Sequence, residues 1–226
     1  MKYEIKGGAF PVVICDLEEG EVMTTSPGAM SWMSANMTND SKLASAGSML
    51  GRLVTGESVA MNNYSPTSGQ GFIAFASDSP GEIRPIKLDG TRSYICQKGS
   101  FLACTAGVTL SSHVNSGVGV GLLGGEGFVM QKLSGTGIAF VEMRGAVIEY
   151  ELEPEQTLVV SSGHLAFMED SVTMKIKKVE GGLKNMVLGG EGFTQTTLTG
   201  PGHVWLATIK PMVYSLAGNK RILLGK

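Results

Sequence analysis

The sequence predicts an all-β protein assembled from three fused copies of one short β-sandwich unit. Three observations predict it. A glycine-rich phrase recurs along the chain, leucine-anchored segments repeat three times with the same internal spacing, and 32 of 226 residues are glycine with no convincing helical periodicity.

The phrase comes first. Residues 124–137 read GGEGFVMQKLSGTG and residues 189–202 read GGEGFTQTTLTGPG. A divergent copy, TGESVAMNNYSPTSGQG, begins at Thr55, with Ser58 and Val59 in place of Gly-Phe and a longer turn before Gly69 and Gly71. A phosphate-binding loop would need Lys-Ser or Lys-Thr after its glycines and a helix behind them. Strand-like residues follow here instead, so the phrase is scaffold: glycines that permit positive φ at the entry to a strand, then LSGTG and LTGPG as hairpin turns into IAFVEM and HVWLATI.

Upstream, LEEGEVMTTSPGAMSWM begins at Leu17, LDGTRSYICQKGSFLAC at Leu88 and LEPEQTLVVSSGHLAFM at Leu152. Each has a glycine eleven residues after its leucine, Gly28, Gly99 and Gly163, predicted to occupy equivalent turns. Met30 and Trp32, Phe101 and Ala103, Leu165 and Phe167 follow in alternation, the signature of a strand buried on one face. Apolar runs FPVVICDL, EIRPIKL and AVIEYEL precede the leucines, and EEG, DG and EPE form tight turns after them. The units are placed at 1–79, 80–144 and 145–218, with a basic tail at 219–226. The first connector, SKLASAGSMLGRLVTG, is the one stretch with room for a turn or two of helix.

Bulk properties narrow the function. Only 17% of residues are charged, net charge is −2, the pI is near 5.9 and mean hydropathy is +0.13. Nothing electrostatic invites nucleic acid. No signal peptide and no apolar run long enough for a transmembrane helix is present in the sequence. Cys15, Cys96 and Cys104, without CxxC spacing, read as reduced, buried thiols of a cytoplasmic protein.

A triplicated glycine-rich all-β unit carrying GGEGF and Leu-[Ser/Thr]-Gly-x-Gly resembles the altered-inheritance-of-mitochondria family over essentially the whole chain. The resemblance implies a fold similar to that of the tryptophan RNA-binding attenuation protein: several short sandwiches, compact relatives of the double-stranded β-helix, fused and sharing sheets around a pseudo-threefold axis. It implies further association, and for mitochondrial relatives a link to inner-membrane organisation. It supplies no catalytic residues, and the absence of a targeting extension fits a prokaryotic cytoplasmic member.

His113, His164 and His203 lack the HxH spacing of a cupin-type metal site, and no cofactor is expected. Glu57, Glu126 and Glu191 recur in the GE phrases. Three carboxylates around an axis would suit a cation, whereas repetition within one chain favours a turn-closing role. Cys96 and Cys104 alternate with apolar residues, as core thiols do. Lys175, Lys177 and Lys178 lack interleaved aromatics and read as a solvated strand edge, not an RNA platform. The connectors end in Met49, Leu53, Leu122, Leu123, Val187 and Leu188, divided between core packing and a contact with another subunit; peripheral membrane contact ranks third. The expectation is a non-enzymatic scaffold acting through protein association as a homo-oligomer, its protein partner undefined. The alternative is a small-ligand or cation-binding protein using the axis or an inter-repeat cleft.

Overall fold

The computed structural model describes residues 1–43, 60–97, 99–113, 130–178 and 194–210. These residues are almost entirely strand and turn. The apolar run after Pro11 becomes β2 (Val12–Leu17), bordered by β1 (Lys2–Lys6) and followed by β3 (Met23–Thr25), β4 (Trp32–Met33), β5 (Met37–Leu43), β6 (Ala60–Pro66) and β7 (Gly71–Ala76). The next set is β8 (Gly81–Asp89), β9 (Tyr94–Gln97), β10 (Phe101–Thr105), β11 (Val108–His113) and the long β12 (Met130–Arg144). The last is β13 (Val147–Leu152), β14 (Thr157–Ser161), β15 (Leu165–Glu169), β16 (Thr173–Lys178), β17 (Thr194–Thr199) and β18 (Gly202–Ala207), with a 3-10 turn at Ser162–His164.

One register occurs three times. Leu17 of β2 lies opposite Gly71 of β7, Leu88 of β8 opposite Gly137 of β12, and Leu152 of β13 opposite Gly202 of β18. Fifteen residues beyond each leucine, Trp32 pairs with Ala74, Ala103 with Phe140 and Phe167 with Trp205. Met23 pairs with Tyr64, Tyr94 with Leu133 and Leu158 with Leu198. The same partners are also met from the other side, by Asn39, Leu110 and Met174. Each turn after a leucine also holds a positive-φ residue: Gly20 and Glu155 three residues beyond, at 87° and 64°, and Gly90 two beyond, at 86°.

The LSGTG and LTGPG pieces are not hairpin turns. β12 runs unbroken through Gly135 and Gly137, pairing with β9 and β11 before the glycines and with β8 and β10 after them. β17 and β18 likewise pair with different neighbours, as do β6 and β7. The glycines bend one strand from a sheet into the facing sheet, a corner that closes a sandwich. Gly137, at φ 145°, leaves no room for a Cβ against the Thr105 hydroxyl and the Val108 side chain.

The segments join edge to edge. β3 pairs with β10, and β9 pairs with β15, giving an eleven-stranded sheet among the described residues in the order β13-β18-β15-β9-β12-β10-β3-β6-β5, with β8 and β11 also on β12. A four-stranded sheet, β1-β2-β7-β4, and a three-stranded one, β14-β17-β16, complete it. This sharing overturns the expectation of strands buried on one face. In β10, Phe101 through Cys104 are all buried, and in β15 Leu165 through Met168 are too, because each strand has a core on both sides. Cys104 and Phe167 belong to a central cluster with Leu88 and Trp205; Ala103 faces a first cluster with Cys15 and Phe75; Met168 faces a third with Leu198. Burying a large apolar side chain completely is worth about 1.5–3 kcal/mol, so two-sided strands are the main source of cohesion.

Gly28 and Gly99 have positive φ, 81° and 92°, as turns at those places require. Gly163 departs from them: it sits in the 3-10 turn without positive φ, where a Cβ would crowd the Lys210 side chain.

Candidate functional site

Two of those turns meet. Gln97, Gly99 and Ser100, at the entry to β10, and Gly163, at the entry to β15, flank a cleft of about 150 Å³ whose floor is Glu142, Met143 and Arg144 of β12. Gly99 lends the turn its left-handed residue, and the Ser100 amide donates to the Gln97 carbonyl at 3.1 Å. The Glu142 amide donates to the Ser100 carbonyl at 2.7 Å, tying floor to wall. Ala166, Ala207 and Ile209 add an apolar part to the lining.

Glu142 is the chemical feature of this cleft. Strand alternation places it between buried Val141 and Met143, and it is itself half-buried. Its Oε2 is inaccessible and has no hydrogen-bond partner among the described residues. Burial raises its pKa, with Asp78 adding to the rise, while the Ser77 hydroxyl and Arg144 oppose it. Arg144 is partly committed elsewhere, its guanidinium 3.2 Å from Asp78. The arrangement can accept a hydrogen bond from a small donor or, when ionised, hold a compact cation.

The other sequence candidates are dispersed. His164 Nδ1 lies 2.7 Å from the Ala207 carbonyl, and His203 Nδ1 lies 2.9 Å from Glu149 Oε1 with its ring stacked on Trp205. His113 ends β11. The described residues contain no group of three or more His, Cys, Asp or Glu able to hold a metal ion. Cys96 and Cys104 do share a core cluster, and Cys15 lies in another; burial pushes all three thiols up to about 12. Lys175, Lys177 and Lys178 lie on β16, an edge strand. Glu57, Glu126, Glu191, Met49, Leu53, Leu122, Leu123, Val187 and Leu188, and most of the GE phrases with them, lie outside the described residues.

Sequence reasoning missed Glu142. The available signal was a carboxylate set between the buried apolar residues of IAFVEM, which alternation alone assigns to solvent.

A family profile described as mitochondrial biogenesis AIM24 matches residues 3–209. The chain belongs to the AIM24 family. An uncharacterised protein of Streptococcus pyogenes serotype M6 is 28% identical over 210 residues, covering 88% of this chain and 82% of that protein. The crystal structure of another Streptococcus pyogenes protein, SPYM3_0169, superposes with a TM-score of 0.75 at 23% identity, covering 92% of this chain and 94% of that one. That similarity establishes the all-β fold of this AIM24 member. Among the described residues no helix is long and apolar enough to cross a membrane.

Proposed function

We propose that this AIM24-family chain is a non-enzymatic, cytoplasmic β-scaffold of three fused, pseudo-equivalent units that works by associating with further copies of itself. The observation that carries the reading is the recurrence of one strand register in each third of the chain, joined twice by the same edge-to-edge pairing. A unit that pairs a strand edge with the neighbour it is linked to in one chain has the surface needed to pair with a neighbour in another. Sparse charge supports protein–protein contact over nucleic acid. The test is light scattering on a sizing column with and without anionic liposomes. A defined oligomer that ignores liposomes supports the scaffold; a single chain that moves onto liposomes replaces it with a membrane-surface role.

A second reading rests on the Glu142 cleft, which lies where strands of the second and last thirds meet. A buried carboxylate oxygen without a partner is the kind of group a small cationic or hydrogen-bond-donating ligand satisfies. Thermal shift against panels of small amines and divalent cations, repeated with Glu142→Gln, tests it. A stabilisation that survives the substitution removes the cleft from consideration.

A further inference from the structure

We propose that a second copy of this chain docks head to tail on the first, β4 of one copy pairing antiparallel with β14 of the other, Met33 opposite Val159 and Trp32 opposite Val160. The inference rests on the self-association reading and assigns its surface.

Two junctions inside the chain already show the pairing. At the first, Ala103 pairs with Thr25, Cys104 with Thr24 and Thr105 with Met23. At the second, Phe167 pairs with Cys96, Met168 with Ile95 and Glu169 with Tyr94. Counted from Leu17, Leu88 and Leu152, both junctions have one register: residue fifteen of the later segment meets residue eight of the earlier. By the same count, the strand equivalent to β10 and β15 is β4, and the strand equivalent to β3 and β9 is β14. These two are the ones left over. Among the described residues β4 is the terminal strand of its sheet and β14 the terminal strand of another, and the two do not pair with each other.

Exposure marks the same two strands. Ala103 and Phe167, held in the internal junctions, are 0% and 3% exposed, whereas the equivalent Trp32 is 47% exposed. Ile95 is 1% exposed, whereas the equivalent Val159 is 59% exposed. Phe72, on the same sheet face as Trp32 because Trp32 pairs with Ala74 two residues along, is also exposed. An exposed tryptophan and an exposed valine on unpaired strand edges are what sheets normally avoid.

The faces match. In the internal pattern the residue at position fifteen enters the core of the earlier segment and the residue at sixteen stays in its own core. Carried to the open ends, Trp32 enters the cluster that already holds Val160, and Val159 covers the cluster against which Met33 packs. Contact of this kind is heterologous, so each copy keeps one free end and copies add until the assembly closes or extends.

Two variants that each add one exposed-edge cysteine to the three buried native ones, Met33→Cys and Val159→Cys, are mixed and oxidised with a mild oxidant, and Val159→Lys is measured by light scattering beside the unaltered chain. Val159 is exposed, so the lysine leaves the fold intact, checked by circular dichroism and melting temperature. The expected result is a mixed disulfide dimer containing one copy of each variant, no dimer from either alone, an unaltered chain that scatters as a multiple of its own mass, and Val159→Lys as a single chain. If the unaltered chain associates but Val159→Lys associates equally and no mixed disulfide forms, this surface is wrong while self-association stands. If the unaltered chain is monomeric, both fall.

Discussion

Leu88 lies directly opposite Gly137 across β8 and β12, and the pair is repeated by Leu17 with Gly71 and by Leu152 with Gly202. The leucine fills the core just where the partner strand turns its corner, and the glycine leaves space for both. At Gly137 a methyl group collides with Thr105 and Val108, and φ is 145°. Gly137→Ala is therefore expected to cost about 1–3 kcal/mol, the range for forcing a side chain into such backbone. Gly28→Ala, in open space, carries only the left-handed penalty of about 1–2 kcal/mol. Urea titration of the two variants checks this; equal losses from both, small enough to be explained by φ alone, would remove the crowding argument.

Glu155 stands three residues beyond Leu152, as Gly20 does beyond Leu17, and it is the one non-glycine residue with positive φ among those described. Its neighbours hold the turn through the Gln156 amide donating to the Glu153 carbonyl at 3.0 Å. Glu155→Gly is expected to raise stability by about 1 kcal/mol, since the left-handed penalty disappears while the turn stays. A lower urea midpoint in the variant would mean the carboxylate has a role the turn geometry does not show.

Much of the architecture was legible because repetition multiplies weak signals. Leu17, Leu88 and Leu152 identified matching strands, and the alternation around Phe101 and Leu165 identified β10 and β15. What alternation could not express was a strand with a core on each side. Leu102 and Ala166 look like solvent-facing positions in sequence, yet are buried because a neighbouring segment covers them. The corner at Gly135–Gly137 reads as a hairpin for a similar reason: glycines announce a change of direction, and only the partners of β12 say whether the strand folds back or crosses over. The cleft depends on three separated pieces, the entry to β10 at Gln97, Gly99 and Ser100, then Glu142, then Gly163, whose approach no local pattern records.

The thiols give a reactivity prediction. Cys15, Cys96 and Cys104 are buried and their pKa values are pushed up to about 12, chiefly by desolvation. Only the thiolate attacks an alkylating agent. In the folded protein iodoacetamide at mildly alkaline pH is expected to leave all three unmodified, and to label all three once denaturant is added; mass spectrometry counts the adducts. The linkage has a definite sign. A folded-state value above the ordinary 9.0 means the native state keeps protons the unfolded state loses, so this contribution is complete below pH 9 and is lost as pH climbs towards 12. Native labelling of any one cysteine would show that its core opens locally.

Glu142 titrates in the same sense at a lower pH. Burial raises its pKa above the ordinary 4.5, so the folded protein binds its proton more tightly than the unfolded chain does. Its contribution to stability is complete below the ordinary carboxylate value and is lost as pH rises through the raised one. Glutamine keeps the shape and hydrogen-bonding groups of the protonated acid without ever ionising. The melting temperature of Glu142→Gln relative to the unaltered chain is therefore expected to rise as pH climbs from the ordinary carboxylate range through the raised value. Because Arg144 is engaged with Asp78, little compensating attraction is lost in the exchange. A difference that stays constant across that range would mean Glu142 is ionised in both states alike, and the cleft would then be an open, water-like place rather than one that holds a carboxyl group against its preference.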